Sequence, residues 1–167
     1  MKKWIVFVVA LYFFSCKTDD KQKVHLPSQV YHYSQIDTTR FQNKQNVYVP
    51  IYSHIYAQTG TQMINLTATL SIRNISYVDN FYITDVIYYG SQGEILKKYL
   101  DSAIVLKPMT SVEFVVEEKD SKGGAGANFV VKWGAEISTT EPLIQAVMNG
   151  TNTGISFVTN GVNMGGE

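Results

Sequence analysis

Hydrophobic residues in this chain recur mostly at every second position, the period of a half-buried β-strand. From Asn46 to Tyr56, Val47, Val49, Ile51 and Ile55 alternate with Tyr48, Tyr52, His54 and Tyr56. Leu66, Ala68, Leu70 and Ile72 share one face of the next segment, opposite Thr67, Thr69, Ser71 and Arg73. That pattern predicts an antiparallel strand with one wet face. Phe81 to Tyr89 is apolar on both faces and predicts a central strand or one that feeds an interface. Tyr89-Gly90-Ser91-Gln92-Gly93 predicts a hairpin connection into a strand over 94–100.

Beyond Pro108-Met109-Thr110-Ser111, a turn, Val112, Phe114 and Val116 alternate with Glu113, Val115 and Glu117. Glu118 to Gly126 is a polar, glycine-rich loop, and Asn128 to Trp133 is a strand that places Phe129, Val131 and Trp133 together. Glu141-Pro142 predicts a helix start, with Leu143, Ile144, Val147 and Met148 on one face of two turns. A short strand is the alternative there, given Gly150 close behind. Ile155 to Val158 closes the series, and the glycine-rich tail after Asn160 is expected to fray. About seven or eight short strands with at most one short helix define an all-β chain, an immunoglobulin-like antiparallel β-sandwich. The Cys-Trp-Cys pattern of true immunoglobulin domains is absent. Period alone does not separate a sandwich from a small barrel.

Ahead of this pattern the chain reads differently. Lys2 and Lys3 precede an uncharged run from Trp4 to Phe14, shorter than the ~20 residues of a spanning helix. Ser15-Cys16 ends the run and Lys17-Thr18-Asp19-Asp20 follows. A lone cysteine after a small residue at the exit of an apolar run looks like a bacterial lipoprotein cleavage box, although Phe13 stands where Leu is common. The expected organisation is a lipoprotein signal peptide over 1–15, an acylated Cys16 with a flexible tether over 16–42, a sandwich domain over 43–161 and a tail over 162–167. Within the tether, Val30-Tyr31-His32-Tyr33 suits a brief edge strand. A flexible tether of that length would have an end-to-end distance of roughly 25–30 Å. Asp19-Asp20 resembles the acidic signals with which some bacteria export lipoproteins to the cell surface. The implied location is the outer membrane, held by acyl chains such as palmitate, on its periplasmic or cell-surface side.

Charge argues against nucleic acid. The chain carries 14 basic and 14 acidic residues. Loss of residues 1–15 removes Lys2 and Lys3, leaving twelve basic against fourteen acidic, whereas a nucleic-acid surface is strongly basic. Cys16 is the only cysteine, so no internal disulfide is available and packing alone must stabilise the domain.

Several blocks together resemble a known family. These are Val47-Tyr48-Val49-Pro50-Ile51-Tyr52-Ser53-His54-Ile55-Tyr56, Leu70-Ser71-Ile72-Arg73-Asn74, and the segments 111–120, 123–129 and 154–158. They look like the bacterial family designated domain of unknown function 3124 (DUF3124), over about residues 45–161. The resemblance implies an envelope protein or lipoprotein and carries no catalytic assignment. A looser similarity, through the Leu-x-Ile-x-Asn strand end, runs to the small sandwiches of plant late-embryogenesis proteins and bears on fold alone.

Two groups of residues are candidates for function. Glu117, Glu118 and Asp120 precede Gly123-Gly124-Ala125-Gly126 and concentrate oxygen ligands of the kind Ca²⁺ takes. A solvated structural loop explains the same residues without a metal. Tyr48, Tyr52, His54 and Tyr56 lie at strand spacing and predict a continuous aromatic band, which Tyr82, Tyr88 and Tyr99 could extend. Facing outward, such a band suits a protein interface; facing inward, it packs between sheets. His25, His32 and His54 form no zinc spacing, Ser53-His54 adjacency puts the two on opposite faces, and no Gly-x-Ser-x-Gly elbow is present. Phe129 and Trp133 suit the core, Asn74 and Asn128 suit turns or strand ends, and Arg73 is positioned to pair with Glu113 or Glu117. The sequence thus favours a non-catalytic, membrane-anchored interaction module with an envelope protein as partner and no cofactor. A lipoprotein that binds a small ligand, carbohydrate or Ca²⁺ is the alternative, and an enzyme is the remaining one.

Overall fold

The computed structural model describes residues 29–165; Cys16, the leader over 1–15, the Asp19-Asp20 pair, His25 and the last two residues of the tail lie outside them. Twelve strands run in chain order: β1 (Asn43–Pro50), β2 (His54–Ala57), β3 (Gln62–Asn65), β4 (Thr67–Arg73), β5 (Phe81–Tyr89), β6 (Ile95–Lys98), β7 (Ile104–Leu106), β8 (Ser111–Val116), β9 (Asn128–Ala135), β10 (Leu143–Gly150), β11 (Ile155–Asn160) and β12 (Val162–Asn163). One sheet orders β12-β1-β9-β5-β6, with β7 also on β5; the other orders β11-β10-β4-β8. All the pairings are antiparallel, and β2 with β3 forms a separate hairpin. The fold is an antiparallel β-sandwich. Among the described residues the only helical turn is a 3-10 turn at Thr38–Arg40.

The core lies where the alternating residues of both sheets meet. Val47 and Val49 of β1 and Phe129, Val131, Trp133 and Ala135 of β9 face Ala68, Leu70 and Ile72 of β4 and Phe114 of β8. On β5 the buried set changes parity, from Phe81 and Ile83 to Val86 and Tyr88. A β-bulge between Ile83 and Asp85 is the cause, since one extra residue rotates every later side chain to the other face. Ile87, on the opposite face between Val86 and Tyr88, is buried as well, as suits a strand set between β9 and β6.

Three sequence expectations are corrected. The helix expected over Leu143–Met148 is strand β10: Ile144, Ala146 and Met148 are buried, while Leu143 and Val147 face out. The alternative strand was the right reading, and Ala146 is the inward residue that a helical count of 143, 144, 147 and 148 skips. The single strand expected from Asn46 to Tyr56 is broken in two. Pro50, which has no N–H to donate, ends the β1 ladder opposite Asn128, and Ser53 is fixed in the gap before β2. The tail does not fray directly after Asn160, because Val162 and Asn163 pair with Tyr48 and Val47 as β12.

Residues Tyr31, Tyr33 and Phe41, within the segment read as tether, pack against the domain. Tyr33 bridges Ile104, and the flanking His32 and Ser34 exchange backbone hydrogen bonds with Val105 and Ala103, so the brief edge pairing at 30–33 is present. Tyr31 stacks on Phe114 with centroids 5.8 Å apart. Phe41 stacks on Tyr82 and covers Gly134, where an added Cβ would come within 2.8 Å of the Phe41 ring. Asp37 caps the 3-10 turn by accepting from the Thr39 N–H, and the Thr39 hydroxyl, together with that N–H, holds its carboxyl below the usual range.

Candidate functional site

The glycine-rich loop between β8 and β9 is held by two serines from other elements. Ser53 is fully buried, and its hydroxyl donates to the carbonyls of Ser121 at 3.2 Å and Gly124 at 3.1 Å. Ser91, in the β5–β6 hairpin, donates through both its N–H and its hydroxyl to the Gly123 carbonyl, at 2.9 and 2.7 Å, and its hydroxyl accepts from the Gly126 N–H. Gly124 has φ +78°, a conformation that L side chains rarely adopt. The carbonyls of Ser121, Gly123 and Gly124 thus already accept from hydroxyl and amide donors.

The three acids of this loop do not converge. Glu117 pairs with Lys119 at 2.7 Å, an exposed contact that holds the Glu117 carboxyl below its usual range. Glu118 accepts from the Thr151 hydroxyl at 2.5 Å, and Asp120 accepts from the Lys122 N–H at 3.3 Å. Among the described residues no three His, Cys, Asp or Glu side chains come together as metal ligands do. Such a loop closes one end of the sandwich. Arg73 does not pair with Glu113 or Glu117; its Nε donates to the Ser71 hydroxyl at 3.1 Å. Asn74 does the work expected of it at a strand end. Buried, it donates to the carbonyls of Asp79 and Leu106 and accepts from the Ser76 N–H.

Nor do the candidate aromatic residues form an outward band. Tyr56 is 58 % exposed, but His54 is buried against its ring, with centroids 5.4 Å apart. Tyr48 and Tyr52 are half-buried, and Tyr52 meets Phe157 edge-on at 5.7 Å. Tyr82 lies half-buried beneath Phe41. Tyr88 belongs to the core, in an aromatic chain that runs Tyr88–Phe129–Tyr99–Phe114–Tyr31 with centroids 5.3–5.9 Å apart. The break at Pro50 and the parity change on β5 together scatter what strand spacing had placed in one row.

Burial has an electrostatic consequence for this chain of rings. It pushes the Tyr88 hydroxyl up to about 12, with the negative charge of Asp120 the second cause, and it raises Tyr99, whose hydroxyl donates to the Val115 carbonyl at 2.9 Å. An unfolded tyrosine loses its proton near pH ~10. Between that pH and about 12 the native state holds more protons than the unfolded state, so stability falls as pH rises through this window and is unaffected below it. Thermal melts are expected to drop steeply across that window, and absorbance at 295 nm to show late-ionising tyrosines released only on unfolding. Early, complete ionisation with the fold intact would contradict the burial described here.

The broad solvent-facing surface that sequence reasoning missed is the outer side of the β11-β10-β4-β8 sheet. Pairing aligns Val115, Thr69, Val147 and Val158 in one row across all four strands. The three valines are 38–54 % exposed. Glu113, Ser71, Gln145 and Asn160 form the adjoining row, and Thr67, Asn149 and Ser156 lie on the other side. Charge on this face is confined to its margins: Glu113 and Glu117 flank Val115 along the β8 edge, and Arg73 stands at the Ser111–Arg73–Leu143 end. The alternation of each strand was visible in the sequence, but their register, which makes the row, was not.

Fold and site together define a compact antiparallel sandwich with a serine-pinned closing loop and one nearly neutral sheet face. Residues 44–164 match the model of the family described as protein of unknown function, DUF3124, and the chain belongs to that family. No curated protein matches the chain, and no solved structure does.

Proposed function

We propose that this protein is a non-catalytic docking module, held to a bacterial membrane through acylated Cys16, that binds an envelope protein through the outer face of the β11-β10-β4-β8 sheet. The observation that carries the reading is the row Val115–Thr69–Val147–Val158, set on a face whose charged residues, Glu113, Glu117 and Arg73, lie at the β8 edge and one end. Interface centres are depleted in charge and enriched in apolar contact, and a four-strand face presents such a surface rigidly. The Ser15-Cys16 box after the apolar run supports the anchor.

Intact-mass measurement of the protein from native membranes is expected to show a diacyl or triacyl adduct on a chain beginning at Cys16. Copurification after mild detergent extraction is expected to recover a partner that Val147→Lys loses and Tyr56→Ala keeps, both variants retaining the wild-type melting temperature. A free thiol or a retained leader would remove the anchor from this reading. Equal recovery of every companion by Val147→Lys would remove the docking face.

A further inference from the structure

The edges of the two large sheets are not equally protected. An open edge strand offers unpaired N–H and C=O groups to any other strand, and proteins guard such edges with charge, shortness or cover. β6 carries Lys97 and Lys98, β7 is three residues long and is bridged by Tyr33, and β12 has two residues. On β8, Glu113 supplies charge and the Tyr99 hydroxyl occupies the Val115 carbonyl. β11 has none of these devices. Its six residues, Ile155-Ser156-Phe157-Val158-Thr159-Asn160, include no charge and no proline. The inward side chains of β10 next to it are all buried, whereas those of β11, Ile155, Phe157 and Thr159, remain partly exposed, and no described residue pairs with its outer edge.

The register fixes which groups are on offer. Gly161 donates to the Ile144 carbonyl, so in the β10 ladder the odd-numbered residues of β11 point their backbone groups at β10. The even ones, Ser156, Val158 and Asn160, point theirs away.

We propose that β11 pairs antiparallel with β11 of a second copy of this chain, about a two-fold axis through Val158, to make one continuous eight-stranded sheet. The arrangement is self-complementary. Val158 faces its own symmetry mate, Ser156 faces Asn160 of the second copy on the outer side, and Phe157 faces Thr159 on the inner side. A homotypic pairing brings an edge's charges together at its axis, and this edge has none to repel. The pairing extends the Val115–Thr69–Val147–Val158 row into the second copy and covers Phe157. It requires neither the anchor nor the envelope partner proposed above.

Cysteine scanning of the full chain in mild detergent tests the axis. Residues in a hydrogen-bonded antiparallel pair have Cα atoms about 5.5 Å apart, within reach of a disulfide. Val158→Cys is expected to give a 158–158 crosslinked peptide by mass spectrometry under mild oxidation. Ser156→Cys alone and Asn160→Cys alone are expected to give none, while the two mixed give a 156–160 crosslink. The unsubstituted chain controls for Cys16. Sedimentation is expected to show a concentration-dependent dimer that Val158→Lys weakens about tenfold or more through like charges facing on the axis. Val158 is 54 % exposed, so that variant folds, and an unchanged melt checks it. Val147→Lys, one strand in from the edge, is expected to keep the dimer while losing the envelope partner, which separates failure of the two readings. A monomer at every concentration, or crosslinks of equal yield at 156, 158 and 160, overturns the proposal.

Discussion

Trp133→Ala is expected to destabilise the domain by about 3–5 kcal/mol, a large fraction of what a domain of this size holds in reserve. The indole is 2 % exposed at one end of β9 and meets Phe81 edge-on with centroids 5.8 Å apart. Flanking side chains from both sheets are themselves locked by the ladder and collapse little into the space left. Chemical denaturation should therefore show a much lower midpoint with an unchanged slope. Trp133→Phe is the informative companion. The indole Nε1 has no hydrogen-bond acceptor among the described residues, so the substitution removes a buried donor that gains nothing. It should cost well under half as much as alanine. A phenylalanine as damaging as alanine would mean that the indole N–H, rather than the ring volume, is what this position needs.

Gly123→Ala is expected to cost about 1–3 kcal/mol by overpacking. The backbone φ at Gly123 lies outside the left-handed region, so the cost is steric. An added Cβ would fall on Tyr88 Oη, 2.8 Å from Tyr88 Cζ and 2.9 Å from Ala127 Cβ. The Tyr88 hydroxyl abuts this glycine without a partner in hydrogen-bonding geometry among the described residues. Tyr88→Phe should accordingly be nearly neutral alone and should relieve part of the Gly123→Ala defect, giving a coupling of about 0.5–3 kcal/mol in a double-mutant cycle. Strict additivity would show that the loop does not rest on the tyrosine.

How far the fold was legible follows from which signals are local. Strand alternation over 66–73 and 112–116 transferred directly, because the apolar face of each is buried in the core. The central strand read into Phe81–Tyr89 is β5, set between β9 and β6, whereas Leu143–Met148 misled. A bulge moves the inward face of β5 from odd to even residues, and a small inward Ala146 let a strand mimic a helical stripe. The aromatic band rested on an unbroken strand through Pro50, and the loop acids on convergence; both depend on contacts between residues distant in sequence. Ser53 and Ser91, which pin the loop across 71 and 32 residues, carry no local signature at all. The Val115–Thr69–Val147–Val158 row is a product of register and could be read only once the strands were paired.

The seating of Phe41 over Gly134 and of Tyr31 on Phe114 bears on how far an anchored domain could stray. Counted to Asn43, a lipid at Cys16 would be linked by 27 peptide steps; counted to Tyr31, by 15. Fully stretched, that shortens the reach from about 90 Å to about 50 Å. A chain so tied sweeps a thin shell above the bilayer, and only companions standing within that shell could be met.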